Sequence, residues 1–234
     1  MPIKATERGM WHAQPDFGTF ELWAYGKILM PDAGAYTYSG DEEIERLRAY
    51  FKETARHNAI TLDDKNYNDP QPKVLAWKPT PENGAQLLSV QHEAYEGLAR
   101  RRDITFVEEK FFIIVDEVTG PATGCLTLRN CLGQGALTEV AAGNFVYQDG
   151  EAGLCLLVFG PDGSKVSVDE DWYSEAFRER HSRPVVRLDV ERSPEAQAQR
   201  FVTVIYPFSG KVVSEVRLKS ATCICIDGKD YMIN

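Results

Sequence analysis

Short runs of apolar residues, some alternating with polar residues and some continuous, recur along the whole chain. They are rich in Val, Ile, Phe, Tyr and Thr, which favour strands, and Gly, Pro, Asn and Asp separate them. The pattern predicts strands over 18–25, 58–63, 73–77, 86–92, 103–107, 111–118, 124–130, 153–159, 184–190, 200–206, 211–217, 222–226 and 229–233. Runs of this length at close spacing are typical of an antiparallel β-sandwich, so the expected fold class is all-β.

One turn and two helices can be placed within this pattern. Asp227–Gly228 separates the last two runs and predicts a tight hairpin, because both central residues of a two-residue hairpin turn need positive φ. Segment 41–55 predicts a helix, since its apolar residues share one face from Ile44 onwards and acidic residues crowd its first turn. A second, shorter helix is predicted around 170–180.

The chain is expected to form one β-rich domain, residues 1–234. It shows no repeat of 20–50 residues and no compositional shift that marks a linker. The sequence has no apolar run long enough to span a membrane, and its basic N-terminal start lacks the apolar core of a signal peptide. Lys and Arg number 26 and Asp and Glu number 35, and the resulting net charge of −9 argues against a nucleic-acid-binding surface.

Five cysteines give no clear disulfide pattern. Their number is odd, and no pair has the spacing of a redox or zinc motif. Cys223 and Cys225 lie two residues apart on a predicted strand, so they point the same way and are poor partners for each other. The simplest interpretation is that the cysteines are small buried apolar side chains, which leaves the cellular compartment undecided.

His12 and His57 are the histidines placed best for chemistry. His12 lies in a polar loop before a predicted strand, and His57 lies between a helical segment and the next strand, where side chains often carry function. Gln14 and Asp32 could join His57 in an oxygen and nitrogen ligand set for a divalent cation, with zinc or calcium the natural candidates. Such residues also recur by chance at these spacings, so a structural role stays open.

Arginines occur in three clusters, which are Arg46, Arg48 and Arg56, the run Arg100–Arg102, and the set Arg178, Arg180, Arg183 and Arg187. The planar guanidinium can bond two oxygens of a carboxylate or sulfate at once. The alternative is a set of solvated faces balanced by Glu and Asp. The sequence has no nucleophile elbow, phosphate-binding loop or dinucleotide fingerprint, so its residues alone predict a β-sandwich with a candidate histidine site.

Longer blocks of sequence resemble a known family. WHAQPDFGTFELWAYGKILMPDAGAYTYSG (11–40) resembles a block of the heparinase II/III-like polysaccharide lyases, and RAYFKETARHNAITLDDKN (48–66) resembles that family's Arg-rich segment and following strand. RRDITFVEEKFFIIVDEVTG (101–120) and the residues around Arg178–His181 are similar to later blocks. The chain is identified as a member of this family over essentially its whole length, most similar to heparan-sulfate lyases of the heparinase III type.

The resemblance implies an architecture and a reaction. Members have an N-terminal (α/α) toroid and a C-terminal antiparallel β-sandwich of the supersandwich type, and this chain matches the C-terminal part, so we expect the toroid to be absent. They cleave uronic-acid polysaccharides by β-elimination, in which the carboxylate is neutralised, a base removes the C5 proton and an acid protonates the leaving oxygen. The toroid supplies an Asn or His and a Tyr, and the β domain supplies a histidine that matches His12.

The resemblance also implies ligands. The family's sandwich holds a metal ion, and the matching positions are Gln14, Asp32 and His57. Zinc-binding members have histidine where this chain has Gln14, so a structural calcium or zinc ion is expected without a choice between them. The expected ligand of the cleft is heparan sulfate or a related acidic polysaccharide. Its expected binding residues are Arg56, Arg178 and Arg180.

Further expectations concern the activity of the chain, its location and the turn at Phe17. It is expected to be inactive or nearly so alone, because it needs a toroid domain or chain as its partner. The alternative is a non-catalytic carbohydrate-binding or structural β-sandwich module. The family implies a periplasmic or secreted location. Relatives carry Asn where this chain has Phe17, which predicts a reshaped turn because Phe adopts left-handed backbone poorly.

Overall fold

The computed structural model describes residues 1–5, 13–68, 72–196, 198–212, 216–220 and 222–233. Within these ranges the helical elements are α1 (Glu42–Phe51) and the 3₁₀ turn η1 (Thr54–Arg56). The strands are β1 (Leu22–Ala24), β2 (Lys27–Met30), β3 (Ile60–Leu62), β4 (Lys73–Glu82), β5 (Ala85–Tyr95), β6 (Leu98–Val107), β7 (Phe111–Thr119), β8 (Gly124–Cys131), β9 (Ala136–Ala141), β10 (Asn144–Asp149), β11 (Ala152–Phe159), β12 (Lys165–Tyr173), β13 (His181–Arg192), β14 (Ala198–Ser209), β15 (Val216–Ser220), β16 (Cys223–Ile226) and β17 (Lys229–Met232). No helix in the described part of the chain is long and apolar enough to cross a membrane.

The strands form layered antiparallel sheets, which confirms the expected fold class. The main sheet has eight strands in the order β4-β5-β6-β7-β14-β11-β10-β9. A second sheet has the order β12-β13-β8-β3, a third has the order β15-β16-β17, and β1 and β2 form a separate hairpin.

The main sheet is buried on both faces at its centre, as β7 demonstrates. Ile114 and Val118 belong to a core that also contains residues of β8 and β13 in the second sheet. Ile113 and Val115 point the other way, into a core that contains residues of β15 and β16. Because successive side chains alternate between faces, a strand covered on both sides reads as a continuous apolar run.

Helix α1 confirms the helix predicted over 41–55, although the regular helix ends at Phe51. The Asp41 side chain caps its first turn by accepting a hydrogen bond from the Ile44 N–H at 3.0 Å. The acidic residues of this turn lie at the positive end of the helix dipole, where carboxylates are stabilising.

The helix predicted around 170–180 is wrong. Strand β12 continues to Tyr173, because it pairs with β13 along its whole length. Beyond it the chain forms a loop, and Arg178 has a φ of 60°, which is incompatible with a right-handed helix. Pairing with a neighbouring strand therefore overrode the local helical pattern.

The C-terminal strands agree with the prediction in one place and differ in another. Asp227 and Gly228 have φ values of 50° and 80° and join β16 to β17, which confirms the predicted hairpin. The strand predicted over 211–217 overlaps β15 at Val216, residues 211 and 212 lie in no strand, and residues 213–215 lie outside the described ranges. Strands β9 and β10 were not predicted from the pattern.

The cysteines form no disulfide with one another. All five lie in the described ranges, and Cys131, Cys155 and Cys225 are buried. Their small apolar side chains fill space in the sandwich, as the sequence predicted for these three.

Candidate functional site

Two loops bring Gln14 and Asp32 to one cavity beside the β1–β2 hairpin, and His57 lies next to Asp32. Gln14 lies on the loop before β1, and Asp32 follows β2 closely. Both line a cavity of about 360 Å³, and Asp16 lines it with them. His57 follows η1, and its ring is buried beside Asp32. The structure therefore brings together all three residues predicted as metal ligands.

Asp16, Asp32 and His57 form a cluster whose atoms converge. His57 Nδ1 lies 2.9 Å from Asp32 Oδ2, and the Gly34 N–H donates to Asp32 Oδ1 at 2.9 Å. One ligand-capable atom from each of the three cluster residues lies within 4.8 Å of the others. Sequence reasoning missed Asp16, although its place two residues after Gln14 on the same loop was the available signal.

The surroundings keep the Asp32 carboxylate anionic. Burial alone would raise the pKa of Asp32, but the adjacent His57 ring and the Gly34 N–H lower that pKa well below its usual range. Burial alone would lower the pKa of His57, but the charge and hydrogen bond of Asp32 raise it. The pair thus attracts positive charge, which either a proton or a metal cation can supply.

Two buried polar atoms of the predicted ligand residues have no hydrogen-bond partner among the described residues. They are Gln14 Oε1 and His57 Nε2. Gln14 Nε2 donates to the Gly34 carbonyl at 3.0 Å, so its amide oxygen is left as an unused acceptor. An unsatisfied buried polar atom costs about 1–3 kcal/mol, and native proteins contain few of them. An amide oxygen, two carboxylates and an imidazole are donors that fit a divalent cation.

Side chains from other elements hold the loop that carries Gln14. Lys4 Nζ donates to the Gln14 carbonyl at 3.0 Å and also forms an ion pair with Asp16. Thr54 Oγ1 donates to the Pro15 carbonyl at 2.5 Å. The ammonium of Lys4 therefore offsets part of the negative charge of the cluster and positions its loop.

Arg102 joins this loop to the histidine segment. Its Nη1 donates to the Gly18 carbonyl at 2.8 Å and to the Asn58 carbonyl at 2.7 Å. Gly18 lies on the loop of Gln14, and Asn58 directly follows His57 in the chain. One buried guanidinium thus spans the two segments that meet at the cluster.

Arg100 and Arg102 are buried, so the view of Arg100–Arg102 as one exposed cluster is wrong for these two. Arg102 makes two hydrogen bonds of 2.8 Å to Asp116, and Arg100 Nε makes one of 2.9 Å to the same carboxylate. The available signal was their i, i+2 spacing on β6, since Arg102 faces Asp116 in the register of β6 with β7.

Arg56, predicted to bind substrate, is held by internal contacts. Its Nη1 donates to Asp171 at 3.2 Å, its Nε donates to Glu53 at 3.1 Å, and its guanidinium lies 4.3 Å from the centre of the Tyr50 ring. The backbone carbonyl of Arg56 accepts a bond of 2.5 Å from buried Arg183. Its charge is therefore largely offset by carboxylates of the chain itself.

Arg178 and Arg180, the other predicted substrate-binding residues, are exposed. Neither forms an ion pair within the described part of the chain. Both lie on the loop between β12 and β13, and each guanidinium lies over an aromatic ring. Their N–H groups therefore face solvent and are open to an anionic ligand.

Two predictions from the sequence concern the segment before β1. His12, predicted as the catalytic residue, lies outside the described residues. Phe17 was expected to reshape the turn, but it is buried, and Gly18 takes the left-handed position with a φ of 76°. Phe17 itself does not adopt left-handed backbone, and the reshaping of the turn relative to the relatives stays a prediction.

Comparisons with known proteins agree on one family. Residues 3–205 match the family model described as heparinase II/III-like, C-terminal. A heparin-sulfate lyase from Bacteroides stercoris is 36% identical over 209 residues, which cover 88% of this chain and 31% of that protein. One from Pedobacter heparinus is 30% identical over 222 residues, covering 94% and 33%. A solved heparinase III structure matches with a TM-score of 0.89 and 32% identity over 98% of this chain and 38% of that chain. The chain thus spans about a third of the length of these relatives.

Proposed function

The chain belongs to the heparinase II/III-like C-terminal family, and from this membership we propose that it is the C-terminal domain of a polysaccharide lyase. Its substrate is heparan sulfate or a related uronate-containing glycosaminoglycan. The observation that carries the proposal is the Asp16, Asp32 and His57 cluster beside Gln14, in which Gln14 Oε1 and His57 Nε2 have no hydrogen-bond partner among the described residues. A cation bound at this site would hold the loop before β1 in place.

The proposed reaction is β-elimination, which needs charge stabilisation, a general base and a general acid. The negative charge that develops on the uronate carboxylate must be stabilised. The C5 proton needs a base, and the leaving oxygen needs an acid, each with a pKa near the working pH. Imidazole meets that requirement, and we assign this role to His12, two residues before Gln14. The remaining groups come from the partner domain that the family relatives imply.

Gln14, Asp16, Asp32 and His57 would hold a divalent cation, either calcium or zinc. When bound, the ion supplies an electrostatic link between the loop before β1 and the segments that follow β2 and η1. A histidine on a loop acts efficiently only when its surroundings fix its position to a fraction of an ångström. In this proposal the cluster residues hold the loop that continues from Gln14, and no proton transfer is assigned to them.

A cleavage assay tests this function. The chain is incubated with heparan sulfate alone and together with an N-terminal toroid domain from a related lyase, and the ultraviolet absorbance of the unsaturated uronate product is followed. We expect product only in the mixture, and we expect His12→Ala to lower its rate by about 10²–10⁴-fold. Arg101→Gln, an exposed change on β6, serves as the matched control and should keep the rate. Strong activity of the chain alone, or full activity of His12→Ala, would contradict the proposal.

A non-catalytic carbohydrate-binding module is the second candidate, and one apolar cavity favours it. This cavity of about 440 Å³ is walled by Trp23, Tyr25 and Trp77, whose side chains are more than half exposed. Exposed aromatic surface of this kind marks a binding face. Under this second function, His12→Ala would leave glycan binding intact and no toroid domain would restore cleavage.

A further inference from the structure

Lys4 reaches the cluster from outside the loop that carries Gln14 and Asp16. Its Nζ donates to the Gln14 backbone carbonyl at 3.0 Å and forms an ion pair with Asp16. The base of this side chain is fixed, because the Lys4 N–H donates to the Thr19 carbonyl at 3.0 Å and the Gly18 N–H donates to the Lys4 carbonyl at 2.8 Å. The ammonium is therefore a tethered cation that contacts two residues of the loop before β1.

Asp16 needs a positive partner in every state of the cluster. Its side chain is only 6% exposed, and a buried carboxylate is costly unless an opposite charge compensates it. In this structure the ammonium of Lys4 supplies that charge. A metal ion held by Asp16, Asp32 and His57 would supply it instead. Because two cations on one buried carboxylate repel each other strongly, the ammonium and the ion are alternatives.

The cavity beside the cluster gives the ammonium a place to move. Lys4, Asp16, Asp32 and Glu21 line the same cavity of about 360 Å³, which has room for several water molecules. The Lys4 side chain is 26% exposed and ends a flexible stem of methylene groups. Among the described residues that line this cavity, Lys4 carries the only positive charge beside three carboxylates. The cavity therefore attracts a further cation even while Lys4 is in place.

We propose that Lys4 competes with a divalent cation for Asp16 and thereby sets the affinity of the site. Without the ion, its ammonium balances Asp16 and holds the loop before β1. In the ion-bound state the ammonium lies in the solvent of the cavity, and Asp16 is balanced by the ion. The loop is anchored in both states, and the release of Lys4 lowers the net affinity for the ion. The proposal rests on the proposed function for the cation site and adds the residue that regulates it.

Titrations with calcium alone and with zinc alone test this proposal. Calorimetry on the chelator-treated 234-residue chain compares the unchanged protein with Lys4→Leu, whose side chain offers no ligand atom. Loss of the competing charge should lower the Kd of at least one of the two ions at least tenfold. Lys4→Arg keeps a positive charge within reach of Asp16 and should keep the weaker binding of the unchanged chain.

Lys27→Leu is the matched control. It removes the same charge from an exposed lysine on β2, which is ion-paired with Asp149 at 3.2 Å. Any effect of net charge alone is therefore the same in both variants. The Kd of Lys27→Leu should stay within about twofold of that of the unchanged chain, because salt screens a distant exposed charge.

Thermal unfolding supplies a second measurement that separates a competing lysine from a purely structural one. Without metal, Lys4→Leu should melt at a lower temperature than the unchanged chain, because Asp16 loses its partner. The metal that binds should then raise the melting temperature of Lys4→Leu by more than it raises that of the unchanged chain. A purely structural lysine would give equal rises in the two proteins.

Absent ion binding by Lys4→Leu, or binding no tighter than that of the unchanged chain, would overturn the proposal. Equally tight binding by Lys4→Arg and Lys4→Leu would also overturn it, since the charge would then have no effect. The lyase assay with a toroid domain is separate. Tighter ion binding by Lys4→Leu, with no cleavage of heparan sulfate in any mixture, would overturn the proposed function alone.

Discussion

Gly34 and Gly26 share a backbone conformation but differ in their surroundings. Their φ values are 73° and 75°, and a Cβ at Gly34 would lie 2.0 Å from the Ser174 carbonyl oxygen, whereas one at Gly26 meets nothing within 4 Å. We expect Gly26→Ala to lower the free energy of unfolding by about 1 kcal/mol, the cost of left-handed backbone. Gly34→Ala should cost at least about 3 kcal/mol, since its loop must separate from Ser174. Urea unfolding measures both, and equal losses would contradict the close packing.

His92 is a buried histidine that the proposed chemistry does not use. Its ring centre lies 4.9 Å from that of Phe17 and 4.8 Å from that of Tyr67, both edge to face. Neither ring nitrogen has a partner within the described residues. Burial first, and then the charges of Arg100 and Arg102, lower the pKa of His92 to about 2, although Asp116 acts in the opposite direction.

The sign of the resulting pH dependence can be worked out. The unfolded chain binds the His92 proton near pH 6.5 and the folded chain only near its pKa of about 2, so stability falls as the pH drops below 6.5. We expect His92→Leu to remove up to about 1.4 kcal/mol of that loss per pH unit between pH 6.5 and 4. Above pH 7, plots of the free energy of unfolding against pH should run parallel for His92→Leu and the unchanged chain, and this range is the internal control. Buried Asp116, whose pKa is lowered, adds its own loss only in more acidic solution.

Strand β6 shows what one element contributes to the site through a buried side chain. Arg102 bonds Asp116 and two loop carbonyls, so Arg102→Lys removes the fork while keeping the charge. We expect a loss of about 3–5 kcal/mol in the free energy of unfolding, because the buried carboxylate keeps only part of its compensation. Arg101→Gln on the same strand is the control and should change it by less than about 1 kcal/mol, since that ion pair is half exposed. Similar losses of unfolding free energy for both variants would show that the hydrogen bonds of Arg102 contribute no more to stability than a surface ion pair does.

The elements that could be predicted are those whose local pattern and tertiary role agree. Strand β7 is apolar on both faces because sheets cover it on both sides, and α1 carries its cap and acidic first turn in its own sequence. Strand β12 differs, because most of its residues are exposed at a sheet edge and its pattern lacks a buried face. Its pairing with β13 depends on a partner distant in sequence, which local periodicity does not contain.

At the scale of the whole molecule, the site combines residues that sequence order keeps apart. Gln14, Asp32 and His57 were singled out mainly by resemblance to a family, since their spacing alone is uninformative. Asp16 was missed because carboxylates in loops are common, and the burial of Arg102 was missed because charged residues are usually exposed. In both cases the missing information was whether the side chain is buried. Burial depends on how the sheets and loops pack against one another, which local sequence does not contain.

Because its ligands come from separate segments, a metal ion would bind the folded chain and not the unfolded chain. Binding of this kind raises the free energy of unfolding by about 2.7 kcal/mol when the free ion is present at 100 times its Kd. We therefore expect calcium or zinc to raise the melting temperature of the chelator-treated chain and to protect it from urea. Asp32→Asn should abolish that rise, whereas Asp162→Asn, an exposed change in the loop before β12, should keep it. If neither ion alters the stability of the unchanged chain, the cluster does not hold calcium or zinc, and Gln14 Oε1 and His57 Nε2 have to be satisfied by water.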